Sequence, residues 1–193
     1  MTKRSKRVAI AIVGAAAFTL AGCREEQVDA SAFPDLQSCL DQAPQGGLFT
    51  AEDCEASFAQ AEQLHVEAAP RYDSIQVCEE QHGEGACGSE AAQTQGGSGS
   101  IFMPLLAGYL MGNMLGGRGG MAASQPLYKT SDGRFTNPAG TSTFSNNRGS
   151  AKLNTANFAR PTSTIGKAPM SQATVRSRGG FGSGGAGRTG FGG

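Results

Sequence analysis

Four cysteines in a short internal repeat constrain the fold of this chain more than any other sequence feature. Residues 33–46 align without gaps on residues 72–85, with four identical pairs among the 14, and each unit closes with one further cysteine. Four cysteines allow three pairings, and the repeat favours pairing within each unit: Cys39 with Cys54, and Cys78 with Cys87. Loops this short would each add about 3 kcal/mol of stability by constraining the unfolded chain.

The amino terminus carries the pattern of an export signal. Four basic residues precede an apolar run from Val8 to Leu20, which is typical of a secretory signal peptide and too short for a comfortable spanning helix. The run ends in Leu20-Ala21-Gly22-Cys23, the pattern of a bacterial lipobox. We therefore expect residues 1–22 to be a lipoprotein signal peptide and Cys23 to carry the lipid. An ordinary signal peptide with an incidental cysteine is the alternative.

Lipidation would place the mature chain in the cell envelope. One acyl chain holds a protein only reversibly, but the two or three chains of bacterial lipoproteins anchor it durably. Arg24 stands where an aspartate is associated with inner-membrane retention, which favours the periplasmic face of the outer membrane and leaves the inner membrane possible. In that oxidising compartment the four remaining cysteines favour disulfides. A metal site is not expected, because no C-x-x-C pair is present.

Charge divides the mature chain into two opposed halves. Residues 24–100 contain 15 acidic and two basic residues, whereas residues 101–193 contain ten basic residues and one acidic residue. After a tether over 23–32, we predict an acidic, disulfide-stapled helical hairpin domain over 33–90. A flexible linker over 91–100 would follow it.

The main helix of the predicted domain has clear boundaries. Thr50 and Asp53 have the spacing of a capping box, and Pro70 would end the helix. A shorter helix is predicted from about Asp73 to Gly83. The disulfides would compensate for a core with few large apolar side chains.

Residues 101–116 are predicted to form an apolar helix with glycines at every fourth position: Gly108, Gly112 and Gly116. Such a stripe allows the backbone of a second helix to approach closely. The fifteen mostly apolar residues 101–115 would cover only about 22 Å as a helix, short of the ~30 Å hydrocarbon core. An interfacial or self-associating helix is therefore favoured over a membrane span, and docking on the acidic domain remains open.

Residues 117–193 are of low complexity and lack apolar periodicity, so we predict a disordered basic tail. The predicted fold class is thus mostly α and disordered. Anionic lipid head groups, cell-wall polymers or the acidic domain itself would suit the charge of the tail. Arg178-Gly-Gly-Phe resembles RNA-binding tails, but a periplasmic chain meets no nucleic acid.

No motif for catalysis or for a cofactor is present. The sequence lacks a nucleophile-elbow serine, a Walker loop and a zinc-protease helix, and the G-x-G-x-x-G beginning at Gly83 follows no predicted strand. We therefore expect no enzyme activity and no cofactor. The leading hypothesis is a scaffold or interaction protein of the envelope, with an envelope protein or a second copy as partner. The alternative is a membrane-active accessory that oligomerises through the glycine-spaced helix.

Several segments together resemble the YgiB-type family of uncharacterised proteobacterial envelope lipoproteins. They are the lipobox Leu20–Cys23, the Cys78-x8-Cys87 unit, the block Gly99–Gly112, Gln125-Pro-Leu127 and the tail motif 178–182. The middle block is specific, whereas the tail motif is weak alone. The resemblance implies a shared architecture and brings no established activity.

Overall fold

The computed structural model describes residues 26–94, 96–114 and 122–180, together with the backbone of 188–189. Its elements in chain order are β1 (Gln27–Phe33), α1 (Leu36–Leu40), a 3-10 turn (Ala43–Gln45), α2 (Ala51–Ala68), α3 (Ile75–His82), β2 (Cys87–Ser89), α4 (Glu90–Thr94), β3 (Phe102–Pro104), β4 (Gly108–Asn113), β5 (Ala122–Lys129), β6 (Phe135–Thr136), β7 (Thr143–Phe144), β8 (Gly149–Asn154), a second 3-10 turn (Thr155–Phe158), α5 (Gln172–Ser177) and β9 (Arg188–Thr189). The signal peptide and Cys23 lie outside the described residues.

One curled sheet dominates the structure, so the prediction of a mostly α and disordered chain is wrong. Its strands follow the order β8-β1-β4-β5-β6-β7 with antiparallel pairing, and β9 pairs in parallel with β7. In the register of β1, Phe33 lies opposite Tyr109 and Gln27 lies opposite Asn154. The predicted tether over 23–32 therefore overlaps a strand that is paired on both sides.

The sheet carries a core on each face. On one face, Tyr109 and Met111 of β4 pack with Phe33 and with residues of α1 and α2. On the other face the core is built from both halves of the sequence: Val28, Ala30, Ala32, Leu110, Leu127, Phe144, Leu153 and Phe158. Central strand β4 is buried at all six positions. A strand covered on both faces shows an unbroken apolar run without alternation.

This double burial explains why the prediction of a helix over 101–116 is wrong. A short apolar run cannot be assigned to helix or strand by periodicity alone, and glycines four residues apart share a face in either structure. In β4, a Cβ added to Gly112 would lie 2.5 Å from Cζ of Phe158, and one added to Gly108 would lie 2.7 Å from the carbonyl oxygen of Phe33. These glycines therefore permit packing within the sheet. Gly116 lies outside the described residues.

The prediction of a disordered tail over 117–193 is also wrong for the residues of this range that the structure describes. Residues 122–180 form β5 to β8 and α5, and they bury Leu127, Tyr128, Phe144 and Val175. These apolar residues are too sparse to form a core among themselves. They fold against β1 and the helices, so disorder cannot be judged from this half of the chain alone.

Local helix signals agree better with the structure. Helix α2 begins after Thr50, and both hydrogen bonds of the capping box with Asp53 are present, as predicted. Helix α3 begins after Ser74 and ends before Gly83, within the predicted limits. The two helices do not form an independent hairpin domain over 33–90, however, because α2 packs on β5 and α3 packs on β2 and β3.

The predicted linker over 91–100 is partly structured, since it contains most of α4. Its side chains make long-range contacts: Gln93 bonds to His65 and to the carbonyl oxygen of Met103. Across the described part of the chain, no helix has the length and apolar character needed to span a membrane.

Candidate functional site

An open groove of about 680 Å³ lies where the end of α2 meets the carboxy-terminal half of the chain. Its walls come from four segments: residues 68–71 after α2, the turn 138–141 between β6 and β7, the loop 161–170, and α5 with the residues that follow it to Gly180. Four prolines line the groove: Pro70, Pro138, Pro161 and Pro169. Because proline fixes φ, these residues stiffen a wall that is otherwise irregular.

Arg71 holds the floor of the groove together. Its Nε donates a 2.6 Å hydrogen bond to Glu90, and its terminal nitrogens donate to the carbonyl oxygens of Val66 and Ala69 and to the hydroxyl of Thr164. A cation beside the last carbonyls of α2 also complements the helix dipole. The neighbouring guanidinium lowers the pKa of the Glu90 carboxyl. Arg71 is buried and Glu90 is partly buried, since their side chains expose 4% and 12% of their surface.

Backbone hydrogen bonds fasten the loop 161–170 to this floor. The amide of Thr164 donates to the carbonyl oxygen of Glu67, and the amide of Met170 donates to that of Arg71 at 2.7 Å. Arg160 pairs with Glu67 at 2.6 Å just before the loop. The loop is thus positioned by the end of α2, which sequence reasoning placed in a separate domain.

The described lining of the groove carries positive charge and no carboxylate. Lys167 and Arg178 line it beside the buried Arg71, and neither of the two has a carboxylate partner among the described residues. The guanidinium of Arg178 contacts the sulfur of Met170 instead. Acidic residues dominate the first half of the sequence, so this groove is a local positive site on a chain with no net charge.

Both histidines lie in the core and outside the lining of the groove, and the contacts of His82 fix its protonation. Its Nδ1 lies 2.7 Å from the carbonyl oxygen of Lys129, which can only accept, so Nδ1 carries the proton. The Nε2 of the neutral ring then accepts a 2.8 Å hydrogen bond from the Tyr72 hydroxyl. Burial lowers the pKa of His82 to about 4 and raises that of Tyr72.

His65 has the opposite tautomer. The Gln93 amide nitrogen donates to the carbonyl oxygens of Gly88 and Met103, so its oxygen faces His65 and accepts from Nε2 at 3.1 Å. The Nδ1 of His65 accepts from the Tyr128 hydroxyl at 3.2 Å. Burial lowers the pKa of His65 as well. Both rings are therefore neutral at pH 7, and their hydrogen bonds join α2, α3, α4 and β5 inside the core.

The described lining of the groove contains no histidine, cysteine or acid that could act as a base or nucleophile. In the part of the chain that the structure describes, no three histidine, cysteine or acidic side chains gather as metal ligands. The groove offers cations, threonine hydroxyls and rigid apolar walls.

Comparison with known proteins places the chain in a family. A model described as "Protein of unknown function (DUF1190)" matches residues 27–192, which include both cysteine pairs and the groove. The chain belongs to the DUF1190 family. It is 32% identical to a UPF0441 protein of Serratia proteamaculans, over 93% of this chain and 82% of that protein.

Two further relatives of this DUF1190 chain are similar over comparable lengths. They are UPF0441 proteins of Erwinia tasmaniensis and Klebsiella pneumoniae (strain 342), each 31% identical over 90% of this chain and 78% of the relative. These relatives agree with the resemblance to an uncharacterised proteobacterial family. No solved structure matches the chain.

The residues singled out from the sequence occupy separate places in the DUF1190 fold. Disulfides join Cys39 to Cys54 and Cys78 to Cys87, the pairing that the repeat favours. The first links α1 to α2, and the second links α3 to β2. Gly108 and Gly112 lie in the sheet, and neither they nor the cysteines line the groove.

Sequence reasoning missed the groove itself. Arg71 is one of only two basic residues in the acidic half, and that isolation was the one available signal that it has a carboxylate partner. Lys167 and Arg178 lie in a segment with no periodicity. Nothing in the local sequence indicates that they share a wall with residues 68–71.

Proposed function

We propose that this DUF1190 protein is a lipid-anchored envelope protein, attached through Cys23, that acts by binding a partner or ligand in its groove rather than by catalysis. The observation that carries the proposal is the pair of disulfides. Cys39, Cys54 and Cys78 are at most 1% exposed, and cystines of this kind persist in oxidising compartments. A basic segment, an apolar run and a lipobox precede them in the order required for export.

The short distance between anchor and fold supports a location close to the membrane. Strand β1 begins at Gln27, four residues after Cys23. Four residues of fully extended chain span at most about 14 Å. A lipid on Cys23 would therefore hold the β1 end of the sheet near the head groups, where anionic lipids and cell-wall polymers are candidate ligands.

Binding is favoured over catalysis by the position of the ionisable groups. The two histidines are buried and have partners at both ring nitrogens, so neither is available to a substrate in the groove. The groove is open and lined by cations and hydroxyls, which suits a polar ligand. An envelope protein partner or a second copy of the chain would be an alternative occupant of the same surface.

Mass spectrometry of the amino-terminal peptide tests the anchor. We expect a diacylated or triacylated Cys23 in the membrane fraction, and an unlipidated chain released from membranes when Cys23→Ala is expressed. Replacing Arg24 with aspartate is the matched test of sorting and should move the protein from the outer to the inner membrane. An unlipidated protein that retains residues 1–22 and reduced thiols would refute the proposal.

A further inference from the structure

We propose that the groove binds a phosphate ester of a polyol, with Lys167 and Arg178 holding the phosphate. The ligand is assigned to the same groove as in the proposed function and rests on it. Two sources offer phosphate and hydroxyl groups together: a soluble glycerol or sugar phosphate, which is a monoester, and the head group of a phospholipid such as phosphatidylglycerol, which is a diester.

Position in the groove and the lack of a carboxylate partner together single out these two cations. Four basic residues form ion pairs with carboxylates: Arg71 at the floor of the groove, and Arg134, Lys152 and Arg160 outside its lining. Lys167 and Arg178 line one groove, and the described residues provide neither with a carboxylate. The carboxylate of Glu90, next to the floor of the groove, already pairs with Arg71. Two cations without counter-charges in a concave site attract an anion from solution.

The number of charges favours phosphate over carboxylate. A phosphate monoester carries a charge of about −1.5 to −2 at pH 7, which two cations match, whereas a carboxylate, like the phosphodiester of a phospholipid head group, carries only one negative charge. The guanidinium of Arg178 can hold two phosphate oxygens side by side, and the ammonium of Lys167 acts as a compact point charge. Lys167 reaches the groove from the loop 161–170, and Arg178 reaches it from the end of α5.

The rest of the lining indicates what the phosphate is attached to. The groove of about 680 Å³ lies within the range of about 300–1,000 Å³ typical of small-molecule sites, so a bare phosphate would fill little of it. Hydroxyls of exposed residues such as Thr141 and Thr162 can bond to hydroxyls of a ligand. The described lining contains no aromatic ring. Without a stacking partner the site is unsuited to a nucleobase, and a polyol fits better.

Calorimetric titration of the mature protein in neutral detergent tests the assignment, with sn-glycerol 3-phosphate as the probe. Glycerol and glycerate serve as neutral and carboxylate analogues. We expect binding of the phosphate ester, no binding of glycerol, and at least about tenfold weaker binding of glycerate. The variant with Lys167→Gln and Arg178→Gln should lose about tenfold or more in affinity.

The matched control removes two charges outside the groove, by Lys129→Gln and Arg176→Gln, and should keep the affinity for glycerol 3-phosphate.

Vesicles of phosphatidylcholine with phosphatidylglycerol distinguish the two sources of the ligand. A lipid head group is identified if vesicle binding requires Lys167 and Arg178 and is displaced by glycerol 3-phosphate. Binding of the soluble ester alone identifies a free ester. Absence of binding in both arms, equal binding of glycerate, or an equal loss in the control overturns the proposal. Mass analysis of Cys23 on the same preparation reports separately on the anchor.

Discussion

The ring of Phe158 lies against the backbone of Gly112, in the space that a side chain at that position would occupy. A Cβ at Gly112 would approach three ring atoms to between 2.5 and 2.9 Å. Phe158 belongs to the 3-10 turn that follows edge strand β8, and Gly112 belongs to central strand β4. The contact therefore closes one core of the sheet by joining residues far apart in the sequence.

Gly112→Ala should destabilise the fold. Overpacking of a filled core typically costs about 1–3 kcal/mol, and we expect a loss of that size in the free energy of unfolding measured with urea. Gly99→Ala is the matched control, because no atom lies within 4 Å of a Cβ at that position. A smaller side chain at position 158 should recover part of the loss in the double variant. Equal stability of the Gly112 and Gly99 variants would contradict the packing described here.

The glycine spacing shows why part of the fold could not be predicted from the sequence. Gly108 and Gly112 are equally suited to a helix face and to one face of a strand, and the apolar run around them is too short to decide. What decides for a strand is its pairing with distant segments: β1 pairs with one edge of β4, and β5 pairs with the other. By contrast, Thr50 and Asp53 specify the start of α2 within four residues, and that prediction is confirmed.

The groove could not be predicted from the sequence for a related reason. Its walls combine residues 68–71 with the loop 161–170, and a sequence pattern carries no information on that contact. The prolines and glycines of the second half give it a low complexity, from which the sequence predicts disorder. In the structure they shape turns and loops between short strands, whose few apolar residues, such as Phe144 and Leu153, enter a core shared with β1.

Breaking the ion pair beneath the groove should be costly. Replacing Arg71 with methionine leaves the partly buried Glu90 carboxylate with only the amide of Ser98 as a partner. Removal of one member of a buried pair typically costs about 3–5 kcal/mol, and we expect a loss near the lower end of that range. Arg134→Met is the control, since the pair of Arg134 with Asp132 is exposed and such pairs contribute about 0–1 kcal/mol. Urea unfolding of both variants gives the comparison. Similar losses in the two variants would show that Arg71 does not organise the floor.

The two disulfides should make separate contributions to stability. Replacing Cys39 and Cys54 with serine opens a loop of sequence separation 15, and replacing Cys78 and Cys87 opens one of separation 9. Each loss should cost about 2–5 kcal/mol, slightly more for the longer loop. Peptide mapping without reduction checks the pairing in the wild-type protein. A peptide that links Cys54 to Cys78 would exclude it.

The buried histidines predict that stability falls as the pH drops below neutrality. Above pH 6.5 His82 is neutral in both the folded and the unfolded chain. Below that value the unfolded chain takes up a proton, whereas burial lowers the pKa of His82 in the folded protein to about 4. The free energy of unfolding should therefore decrease by about 2 kcal/mol between pH 8 and pH 5 from His82 alone. His65 shifts in the same direction and adds to the loss.

Nitrogen-15 NMR of the imidazoles separates this effect from other titrations. In the folded protein, His82 should show a protonated Nδ1 and a bare Nε2 at pH 7, and neither signal should titrate down to pH 5. His82→Gln keeps a hydrogen-bonding side chain but removes the ionisable ring, so its stability should depend less steeply on pH. The chain has only two histidines. The histidine contribution to the pH dependence of stability that remains in His82→Gln therefore comes from His65. Titration of His82 near pH 6.5 in the folded state would mean that the ring is solvated, and the bonds to Tyr72 and Lys129 would then not hold it in the core.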